Sequence, residues 1–227
     1  MLAASAAAPA ADLPAPQPDL LALYDWSGFY AGLHAGGAWD HRSVTVYNSV
    51  TGTPLSSGSG NQSGVMGGGQ IGYNFAFPSR WVVGVEADLS AADLGRTVIG
   101  ANVFGERVNK IDLFGTARAR VGYGWNNWLL YGTGGFAWAD EQLTRTQQIG
   151  TVNNATPGTV ESARATGTGW TAGAGLEWAF TRGWIARLEY LHLDLGTQQL
   201  LFPLAQQRFD PKATIDVGRF GISYKFN

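Results

Sequence analysis

The sequence predicts an all-β fold, an eight-stranded antiparallel up-and-down transmembrane β-barrel. Three observations predict it. Eight segments alternate between apolar and polar or small residues, the period-two signature of a strand with two different faces. Several of these segments begin and end in aromatics, as in Trp26 to Trp39, Trp128 to Trp138 and Trp170 to Trp178. The connections between them alternate short and long. A strand advances ~3.3 Å per residue, so about ten residues tilted by ~40° cover the ~25 Å apolar band of an outer membrane. Trp and Tyr settle at the two edges of that band, where an apolar ring and a polar N–H or O–H are both satisfied.

The first strand is expected over 26–39 and the second over 64–77, with Pro78-Ser79-Arg80 as the turn that follows. The third, 81–90, carries Trp81, Val83, Val85, Ala87 and Leu89 on one face and Val82, Gly84, Glu86 and Asp88 on the other. The fourth, 110–125, sets Ile111, Leu113, Ala117, Ala119, Val121, Tyr123 and Trp125 against Asp112, Thr116, Arg118 and Arg120. Asn126-Asn127 turns the chain into the fifth strand, 128–141. The sixth covers 166–180 and ends in a turn at 181–183. The seventh, 184–193, places Trp184, Ala186, Leu188 and Tyr190 opposite Arg187 and Glu189. The last, 213–226, places Phe220, Ile222, Tyr224 and Phe226 opposite Val217, Arg219, Gly221, Ser223 and Lys225.

The long connections, about 40–63, 91–109, 142–165 and 194–212, are rich in Gly, Ser, Thr, Asn and Gln and read as mobile surface loops. Outer-membrane barrels keep short turns in the periplasm and long loops outside. This pattern therefore predicts extracellular loops, two periplasmic termini and a cell outer-membrane location.

Composition narrows the function. The chain has 227 residues, 32 Gly, 9 Trp and 14% charged residues. It has no apolar run long enough for a membrane-spanning helix. Its mean hydropathy of −0.06 is the average of two alternating faces. A net charge of −2 gives no footprint for nucleic acid. The absence of Cys excludes thiol catalysis, Cys-ligated zinc and disulfides.

Residues 1–10 resemble the tail of a secretory signal, with Ala8 and Ala10 fitting a small-residue cleavage site before Ala11. Residues 11–25, spaced by Pro14, Pro16 and Pro18, read as an extended periplasmic tether. The barrel is expected over 26–227.

Two sets of site residues follow from the alternation. The inward charges are Glu86, Asp88, Arg118, Arg120, Glu177, Arg187, Glu189, Arg219 and Lys225. Both signs are present in similar numbers. Unpaired charge in a narrow interior is costly, so these groups are expected to pair into one network that closes the lumen. Inward glycines leave a thin water path as the alternative. The aromatic girdle is expected from Trp26, Trp39, Trp81, Trp125, Trp128, Trp138, Trp170, Trp178, Trp184, Tyr224 and Phe226.

Gly67-x-Gly69-x-x-Gly72 has the spacing of a dinucleotide-binding loop, but that mechanism needs a helix after the glycines, and here they lie inside alternating strands. Structural glycine is the reading favoured. The histidines His34, His41 and His192 form no His-x-x-x-His pair, so no metal or cofactor site is expected. His41 with Ser90 or Asp88, or His192 with Asp194, would suit a rim hydrolase; a polar rim is the reading favoured, and no enzyme activity is expected.

Several segments carry a resemblance. They include Tyr24-Asp-Trp-Ser-Gly-Phe-Tyr-Ala-Gly, Gly69-Gln-Ile-Gly-Tyr-Asn and Trp81-Val-Val-Gly-Val-Glu-Ala-Asp. Leu130-Tyr-Gly-Thr-Gly-Gly-Phe-Ala, Gly173-Ala-Gly-Leu-Glu-Trp, Ala186-Arg-Leu-Glu-Tyr and Gly221-Ile-Ser-Tyr-Lys-Phe-Asn follow in order. Together they resemble the alphaproteobacterial Omp25/Omp31-like outer-membrane proteins of the porin family, similar in fold to the OmpA barrel. The resemblance implies an abundant envelope protein, often a surface antigen, with a structural or weak porin role. It implies contact with outer-membrane lipid, lipopolysaccharide and the barrel assembly machinery, for which Phe226 would be part of the signal. Some members are reported to bind haem; His41 and Tyr47 are the loop residues here that would suit such a ligand.

The expected function is thus a structural, non-enzymatic, surface-exposed envelope barrel with a polar, closed lumen. A narrow passive porin channel and loop-mediated binding of haem or another ligand are the alternatives.

Overall fold

In a computed structural model, described over residues 24–99, 106–147 and 153–226, the chain is all-β. The strands are β1 (Gly28–Asn48), β2 (Pro54–Ala76), β3 (Trp81–Ile99), β4 (Glu106–Trp125), β5 (Trp128–Thr146), β6 (Val160–Ala179), β7 (Trp184–Thr197), β8 (Leu200–Phe202) and β9 (Gln207–Lys225). Eight of them are long and pair antiparallel with their sequence neighbours, and β1 closes the ring on β9, from Tyr30↔Lys225 to Asn48↔Gln207. Closure leaves no free edge along the paired stretch, which a wall facing lipid requires. The three-residue β8 is a hairpin addition to β9 inside the expected last long connection.

Period-two alternation sets the faces. On β7, Ile185, Arg187, Glu189, Leu191 and Leu193 are buried inside the ring, while Trp184, Leu188 and Tyr190 are exposed outside. On β9, Ile215, Val217, Arg219, Ser223 and Lys225 point inward, and Phe220, Ile222 and Tyr224 point outward. Large exposed apolar side chains such as Leu33, Ile71, Val85, Val121, Leu130 and Phe136 cover the outer wall, as lipid rather than water would favour.

The strands run further than expected. The first continues from 39 to Asn48, the second begins at Pro54 rather than 64, and the third reaches Ile99. At this extended end most of the expected long loops are paired strand. Their Ser, Gly, Asn and Gln residues read as loop, but a ladder in water needs no apolar face, so β1 and β2 stay paired from Val46↔Ser56 down to Gly28↔Asn74. At the opposite end the turns are short. Trp125 pairs with Trp128 across Asn126, whose left-handed φ of 51° a short polar side chain tolerates. Residues 1–23, which include the signal-like segment and most of the expected tether, lie outside the described residues.

Candidate functional site

The inward side chains stack in layers along the barrel. Nearest the turn end, Trp26, Val82, Leu129, Tyr131, Ala179 and Ile185 form an apolar floor. A charged layer follows. Beyond it a second apolar layer is built around Met66, Leu94, Phe114, Leu191, Leu193 and Ile215. Towards the extended end, Val46, Leu143, Leu200, Phe202 and Phe209 form a third.

The charged layer brings together four arginines and four carboxylates, a formal balance of zero. Arg118 on β4 pairs with Glu86 at 2.5 Å, Asp88 at 3.0 Å and Glu189 at 3.0 Å. Arg120 reaches Glu177 at 2.8 Å. Arg187 reaches Glu86 at 2.6 Å and Glu177 at 2.7 Å. Arg219 reaches Glu189 at 2.5 Å and Asp88 at 3.2 Å. Two of these contacts, Arg120 Nη2–Glu177 and Arg187 Nη1–Glu86, are ion pairs whose angles fall short of hydrogen bonding. All eight residues are at most 7% exposed. At that burial desolvation is severe, and the cluster persists because most of its charged atoms find opposite charge or a hydrogen bond.

Neutral side chains complete the layer. Tyr30 donates to Glu86 at 2.6 Å and accepts from Arg120 at 2.9 Å; Tyr131 donates to Glu189 at 2.8 Å. The Arg120 guanidinium lies over the Tyr131 ring at 3.9 Å. Thr116 donates to Asp88 and accepts from Arg118 Nε at 2.9 Å. Tyr30 stands opposite Gly72 and Tyr131 opposite Gly175, and each ring fills the space that a Cβ on the facing glycine would need. Sequence reading missed both tyrosines, because a Tyr also suits the girdle. The cross-strand glycine is the signal that separates the two roles, and it becomes visible only with the register.

Lys225, grouped with the inward charges, stands apart from this layer. It is buried and donates to the backbone carbonyls of Asp25 at 2.6 Å and Ser27 at 3.1 Å. This corrects the girdle at Trp26 as well. β1 begins only at Gly28, whose φ of 130° swings the preceding residues back across the turn end. Trp26 therefore packs inside, edge-on to Tyr24, and is 3% exposed. The remaining girdle residues lie on the outer wall. Trp39 and Trp170 are exposed towards the extended end, and Trp138 is half-buried over Gly115. Trp81, Trp125, Trp178, Trp184, Tyr224 and Phe226 are exposed at the turn end, where half-buried Trp128 stacks on Trp178 at 5.7 Å. Phe29 and Trp39, ten positions apart on β1, span about 25 Å at a tilt of ~40°.

The rim pairings are rearranged. His41 faces outward and lies 3.6 Å from Asp216, whereas Ser90 and Asp88 face inward, so those groups do not meet. His192 binds Asp216 at 2.8 Å, and Asp194 caps its own turn by accepting from the Gly196 N–H. Ser90 instead meets His34 at 2.8 Å, with Gln70 on the other ring nitrogen at 2.5 Å. Distances of this kind suit a nucleophile and its base. Ser90 is fully buried, however, and Arg219 lies 3.3 Å from the same His34 nitrogen, which leaves no place for a substrate. A register shift between Ile111 and Leu113 turns Asp112 out of the inward set, and it is exposed. His41 and Tyr47 do not converge either: they are six residues apart on one strand, about 20 Å, and Tyr47 sits under Arg208.

A second inward cluster, just beyond Trp39, was not foreseen. Arg42 bonds Asp40 at 3.2 Å and Glu141, with Gln62 on Asp40 at 3.3 Å. Alternation carried past the girdle would have found it.

Comparison with known proteins places this geometry. Residues 1–226 match the model of the outer membrane protein beta-barrel domain. The chain is 31% identical over 209 residues to the 31 kDa outer-membrane immunogenic protein of Brucella melitensis, covering 89% of this chain and 85% of the relative. It is 30% identical over 214 residues to the 25 kDa outer-membrane immunogenic protein of the same species, covering 94% and 85%. Among solved structures, the outer membrane protein OprG of Pseudomonas aeruginosa superposes with a TM-score of 0.54 at 13% identity, covering 92% of this chain and all of OprG. That likeness concerns the fold alone.

Proposed function

Because the chain belongs to the outer membrane protein beta-barrel family, we propose that it is a structural, non-enzymatic barrel of the outer membrane whose lumen is closed to ions. The observation that carries this reading is the neutral cluster of four arginines and four carboxylates, set between the apolar floor at Trp26 and Leu129 and the apolar layer at Phe114 and Leu193. An ion crossing the barrel would have to break that cluster and shed its water twice, once at each apolar layer. The buried Ser90 and the outward His41 support the non-enzymatic part.

In this reading the turn end, with Tyr24 and Phe226, faces the periplasm, and the extended hairpins project from the cell. The outer wall takes membrane lipid, with lipopolysaccharide on the side of Trp39 and Trp170.

The test is single-channel recording in planar bilayers. A flat baseline with folded, inserted protein is expected. A reproducible open level would replace this reading with a narrow passive channel.

A further inference from the structure

Towards the extended end, β2 loses its neighbour on one side. Among the described residues it pairs with β1 from Pro54 to Asn74, but its ladder to β3 starts only at Met66↔Ala92. Gly64 still lies against β3, since a Cβ there would overlap the Asp93 carbonyl. Beyond it the two strands part, and β3 follows β4 out to Ile99↔Glu106. Ser56 to Gly60, about 17 Å of strand, therefore has a ladder on the β1 side alone.

This stretch is open to solvent. Residues 54–59 are exposed on both faces, without the alternation that β2 shows further in. A Cβ on Gly58 would meet no atom within 4 Å. Backbone N–H and C=O groups along such an edge are a ready template for another strand, and proteins commonly guard them with charge, proline or a bulge. Here Pro54 and the register shift beside it guard only the tip. Ser56 to Val65 contains no charged residue and no proline. The inner flank of the edge opens on a cleft of about 200 Å³, whose wall includes Val44, Val46, Leu143 and Phe209.

We propose that this edge binds an extended polypeptide, which adds as a strand beside β2 where β3 has left it. Its backbone pairs with Ser56–Gly60. Successive side chains of a strand point to opposite faces, so every second one enters the cleft and is apolar, while the others face water. Main-chain bonds supply affinity and the cleft supplies selectivity. A second copy of the chain fits less well. Strands tilted by ~40° in two upright barrels cross at roughly 80° where the walls meet, so two β2 edges do not lie side by side. With the extended end outside the cell, as proposed above, the polypeptide is an extracellular one. Binding itself rests neither on that orientation nor on the closed lumen.

The experiment is fluorescence anisotropy of a labelled peptide of alternating threonine and valine, flanked by lysine pairs, titrated with the full chain folded in detergent micelles and with empty micelles. Saturable binding to the chain alone is expected. The same peptide N-methylated at every threonine and valine cannot donate along either edge and should not bind. A version with serine for valine should bind about tenfold more weakly or less. Ser57→Pro combined with Gly58→Pro removes a donor from the open edge whichever way the ladder alternates, and should weaken the peptide by about tenfold or more. Gly58→Trp, which fills the open space on the cleft side, should do the same. Heat-modifiable gel migration verifies that each variant is folded, and if the proline pair does not fold, Gly58→Trp decides. Absence of saturable binding, equal binding of the N-methylated peptide, or unchanged affinity in the folded variants would overturn the proposal. So would dimerisation in micelles that the same substitutions abolish, which would give the edge to a second copy.

Discussion

Arg118 on β4 and Glu189 on β7 meet at 3.0 Å across the lumen, although two strands separate them around the wall. Neighbouring strands are already held by backbone ladders, so a contact between neighbours adds little new constraint. A contact between β4 and β7 spans the interior. Arg187 of β7 to Glu86 of β3, and Arg219 of β9 to Asp88 of β3, do the same from other directions. The charged layer thus works as internal bracing for a wall that its outer face, in fluid lipid, cannot brace.

Removing one brace should expose the coupling. Arg118→Met leaves Glu86, Asp88 and Glu189 each short of a partner, and breaking a buried pair costs ~3–5 kcal/mol. Combining it with Glu86→Gln restores charge balance and should destabilise by less than the sum of the two single changes. Urea unfolding in lipid vesicles measures all three variants. Strict additivity would mean that the layer is a set of independent contacts.

The outer wall responds to the opposite chemistry. Val121 lies between the Trp125 and Trp138 levels and is 50% exposed to lipid. Val121→Arg should cost ~2–4 kcal/mol, whereas Ser57→Asn, in the extended hairpin, should leave folding yield unchanged. Equal heat-modifiable gel shifts for both would refute the face assignment.

Faces were legible in the sequence and partners were not, for one physical reason. Alternation is a property of a single strand, so Arg187 and Glu189 could be placed inside without knowing what lay opposite them. Register is a property of two strands. It decides that Glu86 serves Arg118, Arg120 and Arg187 together, and that Tyr30 belongs over Gly72 rather than in the girdle. Trp26 was misplaced because its position depends on the path of residues 24–27 across the barrel end, which no periodicity encodes. The extended hairpins look like loops in the sequence because their polar composition is the same whether or not the backbone is paired.

Stability should also carry a pH signature from the cluster beyond the girdle. Burial raises the carboxyls of Asp40 and Glu141, with Arg42 offsetting part of the rise. The folded chain therefore holds protons at a pH where the unfolded chain, titrating at about 4, has lost them. The contribution is full below about pH 4 and declines as pH rises through the raised folded values. Glu141→Gln removes one titrating group and should flatten the decline above about pH 4. Carboxylates elsewhere are common to both proteins, so identical slopes in urea midpoints would refute the assignment.

The last prediction separates two glycines of the Gly67-x-Gly69-x-x-Gly72 stretch. A Cβ on Gly72 would overlap the Tyr30 hydroxyl and approach the Val85 carbonyl at 2.7 Å. Tyr30 cannot simply swing aside, because its hydroxyl joins Glu86 to Arg120. Gly72→Ala should therefore cost ~1–3 kcal/mol as overpacking, more if those hydrogen bonds are lost. A Cβ on Gly67 points outward and meets only the His34 carbonyl at 3.5 Å, an ordinary contact. Alanine there restricts the unfolded chain without crowding the folded one and should be neutral or stabilising by up to about 1 kcal/mol. A nucleotide-binding role would demand glycine at both positions, whereas the packing account demands it only at 72. Urea midpoints that fall equally for both variants would contradict the packing account.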